Sequence, residues 1–246
     1  MTLSRLFTAA SAAAALSLLS ACATLPPDQP ADPLESVNRA MFSFNRTADR
    51  YVLKPVAKGY KAVVPNIAQR GVVNFFSNLG EPITIVNGLL QGKFVQAGSD
   101  TGRFLINSTA GFAGLMDVAT GAGLEKHDED FGQTLGYWGV GTGVYLMLPL
   151  LGPSNGRDVI GRGVDYFSAP LYYVQQNNGD EDEVFYGLTA LNLVKLRTQL
   201  LSADPLIDGA IDPYIFVRTA YMQSRLNSVY DGAPPRALLY GSEDDE

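Results

Sequence analysis

The sequence predicts a mainly α-helical fold built as a single domain. Apolar side chains between residues 34 and 51 recur at spacings of three and four, which places them on one helix face. The Asp-Pro pairs at 32–33 and 212–213 are typical of helix starts, because Asp caps the first amides and Pro suits the first turn. Segments that alternate polar and apolar residues, as half-buried strands do, are few. Residues 32–230 are long enough for one domain with a sizeable core.

The N-terminus is predicted to direct the chain to a membrane. Residues 6–21 carry no charge and are rich in Ala and Leu, but the run is too short for a transmembrane helix. It ends in small residues before Cys22, the only cysteine of the chain, and this resembles the lipobox of bacterial lipoproteins. We therefore predict a signal peptide at 1–21 and a lipidated, Pro-rich tether at 22–31. The alternative is an ordinary signal peptide that ends by chance in a cysteine.

The composition excludes some classes of partner. The chain has 18 Lys and Arg against 25 Asp and Glu, a formal charge of −7, so nucleic acid is not an expected partner. A polybasic membrane-binding patch is also missing. Only 17% of the residues are charged and Gly is abundant, which predicts much apolar surface that needs a membrane or a partner.

The first helix is predicted to begin with Asp32 as its cap and to end before Pro55, because proline breaks a helix interior. One face is apolar and includes Met41 and Phe44. Another face mixes amides, an acid and an aromatic ring: Asn38, Phe42, Asn45 and Asp49. A helix packed on a core explains the apolar stripe, but it does not explain this mixture.

Further helices are predicted along the rest of the chain. They cover residues 68–79, 82–92, 93–107 and 212–227, with a break at Gly80-Glu81-Pro82. The acids at 180–183 suit the N-terminus of another helix. Residues 231–246 are predicted to be an acidic, disordered tail.

Residues 131–156 form the most unusual segment, since they hold no charge and seven glycines. The glycines, together with Pro149 and Pro153, argue against one straight helix. Backbone that is not helical cannot face lipid unpaired. We therefore expect bent or paired apolar segments that lie in one leaflet or line a cavity, with a buried core run as the alternative. A polar loop, 119–130, precedes this segment.

No convincing catalytic constellation is present in the sequence. His127 is the only histidine and lies in the polar loop, without the His or Cys partners of a zinc site. Ser154 stands in a G-x-S-x-G pattern, but the histidine precedes it, whereas the order in α/β-hydrolases places it after. We predict no enzyme, no cofactor and no metal, and keep an esterase that uses Ser154 as the rival.

Several segments resemble the MlaA/VacJ family of outer-membrane lipoproteins. They occur in the family's order between Ala31 and Tyr230: Asp32-Pro33-Leu34-Glu35, Asn38-Arg39, Met41-Phe42, Glu81-Pro82, Val86-Asn87, Phe131-Gly132-Gln133-Thr134-Leu135-Gly136, Gly139-Val140-Gly141, Leu148-Pro149, Arg157-Asp158, Asp212-Pro213-Tyr214 and Val217-Arg218. No single motif is decisive, but the ordered set is specific.

The resemblance implies a lipid-trafficking function. It implies a helical ring, sunk in the inner leaflet of an outer membrane on its periplasmic side, whose polar channel takes phospholipid from the outer leaflet. It also implies two protein partners, a soluble periplasmic lipid carrier and a trimeric porin. A third possibility is a structural lipoprotein that only escorts porins.

The resemblance also suggests the residues that line or gate such a channel. A mobile hairpin of the family matches the loop 119–130, which closes at Phe131. Within the first helix, the expected channel or gating residues are Asn38, Met41, Phe42, Phe44 and Asn45. Cys22 is the expected lipidation site.

Overall fold

The computed structural model describes residues 32–177 and 182–240. The predicted signal peptide, Cys22 and the tether lie outside the described residues, and so does the end of the acidic tail. Within the described part, the prediction of a mainly α-helical chain is confirmed.

The helices follow one another along the chain with one small β-hairpin between them. In order they are α1 (Glu35–Ala48), a π-helical turn (Asp49–Leu53), α2 (Lys54–Val63), α3 (Asn66–Leu90), α4 (Phe94–Thr109), α5 (Val118–Gly121), α6 (Phe131–Tyr137), β1 (Tyr145–Leu148), β2 (Gly152–Asn155), α7 (Gly156–Ser168), α8 (Pro170–Asn177), α9 (Asp182–Leu200), α10 (Asp204–Gly209), α11 (Pro213–Val229) and α12 (Arg236–Tyr240). The last of these occupies part of the segment that was predicted to be a disordered tail.

The helix at the start of the fold differs from its prediction at both ends. It begins at Glu35 rather than at the Asp32 cap, although the Asp32 carboxylate still accepts a bond from the Leu34 amide. It also does not end before Pro55, because a π-helical turn leads directly into α2. There the Lys54 N–H donates to the carbonyl of Asp49, five residues back, and this wider turn takes up the proline that would disrupt a regular α-helix.

The predicted break at Gly80-Glu81-Pro82 is wrong, because α3 runs through it without interruption. A proline inside a helix costs about 3 kcal/mol relative to Ala, so another contribution must offset it. Glu81 and Thr84, on either side of Pro82, are both buried where α3 packs along α4. This tertiary packing outweighs the local preference.

Two other helices agree with their predictions. The span of α4 is close to the predicted 93–107, and α11 ends two residues beyond the predicted Asn227. The side chain of Asp212 caps α11 by accepting bonds from the amides of Tyr214 and Ile215. These ends were predictable because the capping signal lies in adjacent residues.

The uncharged segment 131–156 folds as a helix, a loop and a hairpin. The strands pair antiparallel, with Tyr145 opposite Asn155 and Leu148 opposite Gly152. At the tip, Leu150 has a φ of 60° and Gly152 a φ of 78°, which are left-handed conformations suited to a tight turn. The segment is therefore bent and paired, as its glycines and prolines predicted.

The polarity of the molecule is inverted relative to an ordinary soluble domain. Among the described residues, buried polar and charged side chains outnumber buried apolar ones. Conversely, large apolar side chains are exposed on most of the helices, with Val95 on α4 90% exposed. Within this described part, no helix is long and apolar enough to cross a membrane.

Candidate functional site: the polar interior

The two longest helices of the first half, α3 and α4, turn polar faces toward the interior. On α3 the buried stripe is Asn78, Glu81, Thr84 and Asn87, and on α4 it is Asp100, Arg103 and Asn107. On α4 the spacings of three and four are those of one helix face, whereas on α3 the spacing is three throughout, so the buried stripe winds around the helix. The outward faces of the same helices carry exposed Leu89, Val95 and Leu105. Each helix is therefore amphipathic, with its polar side inside.

Arg103 lies at the centre of this interior, with 1% of its side chain exposed. Its guanidinium donates to both carboxylate oxygens of Asp117, at 3.1 and 3.2 Å, and to the Thr120 hydroxyl at 3.0 Å. It also donates to the carbonyl of Leu124. A single buried cation on α4 thus holds the start of the polar loop at three points.

Two buried carboxylates lie beside Arg103. Glu81 is 2% exposed, and its Oε1 lies 3.7 Å from Arg103 Nε. Burial, together with the nearby negative charge of Asp100, raises the pKa of Glu81 to about 7. Asp100 is fully buried, and one of its oxygens lies 2.8 Å from Nδ1 of His127 in the polar loop. The loop is therefore attached to α4 a second time.

A further cluster surrounds Glu129, near the end of the same loop. The Glu129 carboxylate accepts bonds from Gln91 and Lys93, both at 2.9 Å, and from Gln96 at 3.0 Å. Lys93 also pairs with Asp231, which follows α11. The carboxylate therefore ties the loop to the turn between α3 and α4.

Arg225 on α11 connects the second half of the chain to the polar interior. This guanidinium pairs with Asp130, at 2.6 and 2.9 Å, and with Asp158 on α7, at 2.7 and 3.0 Å. Burial acts to raise the pKa of both carboxyls, but Arg225 outweighs it and holds each pKa below its usual range. Both carboxyls therefore stay ionised at neutral pH, and their ion pairs with Arg225 hold α6, α7 and α11 together.

Two glycines allow α6 and α7 to approach this closely. A Cβ at Gly161 on α7 would lie 2.3 Å from the backbone nitrogen of Gly132 on α6. A Cβ at Gly132 would lie 2.7 Å from an oxygen of Asp158 and 2.8 Å from Arg225. Side chains at these positions would therefore separate the helices and displace the buried ion pair.

The predicted residues Asn38 and Asn45 join α1 to the β-hairpin. The Asn38 amide donates to the carbonyl of Tyr145 and accepts from the N–H of Met147, at 3.0 and 2.8 Å. Asn45 does the same two turns further on, between the carbonyl of Leu148 and the N–H of Leu150, both at 2.8 Å. Both amides therefore satisfy backbone groups of the hairpin.

The other predicted channel residues lie in three places. Met41 and Phe42 pack on the small apolar cluster formed by Tyr145, Met147 and Tyr214. Phe44 is exposed, so its ring points away from that cluster. Phe131 starts α6, where its N–H donates to Asp165 on α7 and its ring packs edge-on against Trp138. The structure thus brings Asn38, Met41, Phe42 and Asn45 together around the hairpin, leaves Phe44 exposed, and places Phe131 at the end of the polar loop.

Sequence reasoning missed the ionic residues of the interior. Of these, Glu81, Asp100, Arg103 and Asp158 are buried, and Asp130 and Arg225 are partly exposed. A signal for part of the set was present, since Asp100, Arg103 and Asn107 recur at spacings of three and four. Such a stripe is normally assigned to the solvent side of a helix.

Ser154 and His127 do not form a catalytic pair. Ser154 lies in β2 with its side chain fully buried. The single histidine of the chain is bonded to Asp100 instead. A serine nucleophile needs both an adjacent base and access for substrate. Ser154 is buried, and its hydroxyl has no hydrogen-bond partner among the residues that the structure describes.

Comparison with known proteins gives a consistent result. The family model described as MlaA lipoprotein matches residues 30–228. An "intermembrane phospholipid transport system lipoprotein MlaA" of Escherichia coli is 39% identical over 212 residues, which are 84% of this chain and 82% of the relative. The protein of the same description from Haemophilus influenzae is 37% identical over 205 residues, 82% of this chain and 80% of the relative.

A solved structure also matches the fold. It comes from work on the structural basis for maintenance of bacterial outer membrane lipid asymmetry, and it superposes with a TM-score of 0.72 at 38% identity. The match covers 81% of this chain and all of the solved one.

Proposed function

Since this chain belongs to the MlaA lipoprotein family, we propose that it removes phospholipid from the outer leaflet of an outer membrane and passes it toward the periplasm, so that lipid asymmetry is maintained. Its relatives are described as lipoproteins of intermembrane phospholipid transport, and the matching solved structure comes from work on outer-membrane lipid asymmetry, which together imply association with an outer membrane. The single observation that carries the proposal is the inverted polarity of the fold, with ionic and amide groups inside and apolar side chains outside.

This polarity suits the chemistry of a phospholipid. Its charged headgroup cannot pass through hydrocarbon without a large desolvation cost, whereas its acyl chains prefer an apolar surface. A ring of helices with polar inner faces supplies a path for the headgroup. Exposed apolar side chains such as Val95 and Leu105 suit contact with lipid on the outside. We propose that the ring lies in the inner leaflet, with acyl chains on Cys22 as its anchor.

The loop 119–130 is the proposed gate of this path, together with Phe131 and the α1 residues Asn38, Met41, Phe42, Phe44 and Asn45. Three ties hold the loop: ion pairs with Arg103 at its start and with Arg225 at its end, and a hydrogen bond between His127 and Asp100. Opening it at either end would separate charges that are now paired. In our proposal the receiving partners are a soluble periplasmic lipid carrier on one side and a trimeric porin in the membrane.

The two rival functions make different predictions. An esterase requires Ser154, but that side chain is fully buried and has no histidine beside it. A lipoprotein that only escorts porins would not need a polar interior, so this function does not account for the buried ion pairs. The family's described role in transport favours the first proposal over both.

Deletion of the gene in its native host tests the proposal. We expect phospholipid to accumulate in the outer leaflet and the detergent barrier to weaken, because retrieval from that leaflet stops. Surface-exposed phospholipid is measured by a membrane-impermeant label, and the wild-type gene and a Ser154→Ala gene are each returned. Both should restore the wild-type level. Unchanged surface lipid in the null strain would refute transport, and failure of the Ser154→Ala gene alone would favour the esterase.

A further inference from the structure

A cavity of about 270 Å³ opens between α2, α3 and α9. Its walls combine two lysines with hydroxyl and amide groups, and no carboxylate is among the residues that line it. The residues that matter here are Tyr60, Lys61, Gln69, Lys195 and Thr198. In a chain with a net charge of −7, this is a local concentration of positive charge.

Lys195 is the central cation of this cavity. Its Nζ lies 5.0 Å from the ring centroid of Phe76, which holds the stem of the side chain against α3. Burial, and to a lesser extent the positive charge of Lys126, lower the pKa of Lys195. Asp128 acts in the opposite direction, but its carboxylate is bound by Lys126 at 2.7 Å. Within the described ranges, no carboxylate oxygen lies within 4 Å of the Lys195 ammonium.

Tyr60 supplies a second unsatisfied group. Its hydroxyl is buried and has no hydrogen-bond partner within the described part of the chain. A buried hydroxyl without a partner costs free energy, so the site favours a ligand that accepts a hydrogen bond there. The Gln69 amide, by contrast, already donates to the carbonyls of Lys61 and Val64. Its donor group is therefore satisfied without a ligand, and the side chain forms part of the cavity wall.

We propose that this cavity binds the phosphate group of a phospholipid, with Lys61 and Lys195 as the cations and the Tyr60 hydroxyl as a donor. A phosphodiester carries one negative charge and several acceptor oxygens, which complements two ammonium groups and a hydroxyl. The apolar side chains of the same helices supply the argument for a lipid rather than free phosphate. Val63 and Ile67, beside Lys61 and Gln69 in the chain, are 82% and 77% exposed, and Leu196 and Leu200 on α9 are also exposed.

This inference rests on the proposed function, because it names a station where the headgroup is held on its way through the protein. It predicts that the cavity recognises the phosphate, which all glycerophospholipids share, and not one particular headgroup. Binding should be stronger for an acidic headgroup such as phosphatidylglycerol at low salt, because the lysines act through charge as well as contact.

Binding of short-chain lipids to the purified full chain tests the site. The probes are dihexanoyl phosphatidylglycerol, dihexanoylglycerol, which lacks the phosphate, and inorganic phosphate. We expect the phospholipid to bind and dihexanoylglycerol to bind at least about tenfold more weakly, since a charge-assisted contact is lost. Lys195→Gln, Lys61→Gln and Tyr60→Phe should each weaken phospholipid binding, the lysine changes by about tenfold. Lys58→Gln, on the same helix α2 but outside the cavity, is the matched control and should bind as the wild type does.

The outcomes separate this inference from the proposed function. Equal affinity for the phosphate-free lipid, or unchanged binding in all three variants, would overturn the site. Inorganic phosphate that binds as tightly as the phospholipid would overturn the lipid assignment. Tyr60→Phe removes only one oxygen, so its result stands even if a lysine variant fails to fold. In cells, strains that carry Lys195→Gln should accumulate surface phospholipid. If surface phospholipid is normal in these strains but raised in the null strain, the site is refuted and the transport function is not.

Discussion

Replacement of Glu81 by Gln should stabilise the protein at alkaline pH and have little effect at acidic pH. Glu81 is buried between α3 and α4, and its pKa rises from 4.5 to about 7, chiefly because burial disfavours the carboxylate. Gln has the shape of the protonated acid and cannot ionise. The change therefore removes the cost of a buried negative charge without opening a cavity.

The magnitude follows from the pKa shift. A rise from 4.5 to about 7 is some 2.5 pH units, and each unit corresponds to about 1.4 kcal/mol, so ionisation of Glu81 costs about 3 kcal/mol of folding free energy. In the unfolded chain the group ionises near pH 4.5, whereas in the folded chain it keeps its proton up to about pH 7. Its contribution to stability is therefore fully present below pH 4.5 and is lost as the pH rises through 7.

Thermal unfolding of the detergent-purified protein at pH 5 and pH 8 measures this effect. We expect Glu81→Gln to raise Tm at pH 8 by about 6–12 °C, the shift that 3 kcal/mol gives in a domain of this size, and to change it little at pH 5. Glu125→Gln is the matched control, because that side chain is exposed in the polar loop and should leave Tm unchanged at both pH values. A Glu81→Gln variant that is less stable by the same amount at both pH values would refute the reasoning, and would show that the carboxylate is needed by Arg103.

Three further predictions concern the contacts that hold the interior together. Gly161→Ala should destabilise the protein by at least about 2 kcal/mol in a denaturant titration, because its Cβ would lie 2.3 Å from the backbone of α6. The control is Gly163→Ala, two residues further on. Its Cβ would meet nothing within 4 Å, so this variant should be neutral or slightly stabilising. Arg225→Met should cost about 3 kcal/mol at pH 8, since the buried Asp158 then keeps only Arg157 as an ion-pair partner and the partly exposed Asp130 loses Arg225. Part of that loss should return on acidification as the carboxylates take up protons, and equal loss at pH 8 and pH 4 would contradict the ion-pair account. Asn45→Leu should leave the part-buried carbonyl of Leu148 unsatisfied, at about 1–3 kcal/mol, while the exposed N–H of Leu150 can bond to water. It should also raise surface phospholipid in cells, whereas normal asymmetry with this variant would favour a protein that only escorts porins.

The parts of the fold that could be predicted from the sequence are those fixed by neighbouring residues. Asp212 and Pro213 mark the start of α11 within one turn, and the helical spacing of the α4 residues is continuous from 94 to 109. The glycines and prolines of 131–156 indicated a bent and paired segment, although they did not show where the strands of the hairpin lie.

The predictions that failed depended on contacts between distant segments. Pro55 and Pro82 are helix breakers by local rules, but a π-helical turn takes up the first and packing of α3 on α4 outweighs the second. The reason for Pro82 lies in residues far from it in the chain, and the reason for Pro55 lies in a rare helix type. Local sequence signals do not contain that information.

The candidate site was harder to predict than the fold, because the sequence does not show which side of a helix faces inward. The polar stripes of α3 and α4 are visible as spacings, but a polar stripe is ordinarily placed on the solvent side. The pairing of Arg225 with Asp130 joins residues 95 positions apart, and no pattern in the sequence links them. The sequence marks Asn38 and Asn45 as unusual, but only the structure shows that their amides bond to the backbone of the hairpin.

Removal of phospholipid from the outer leaflet is the function that we propose for this protein. A pulse-chase measurement of surface phospholipid tests this function most directly. In a null strain that has accumulated surface phospholipid, the lipid is labelled with an impermeant reagent and the gene is then induced. We predict that the labelled lipid leaves the surface after induction and that the label appears in the inner membrane. Labelled lipid that stays at the surface at the same level with and without induction would contradict the claim.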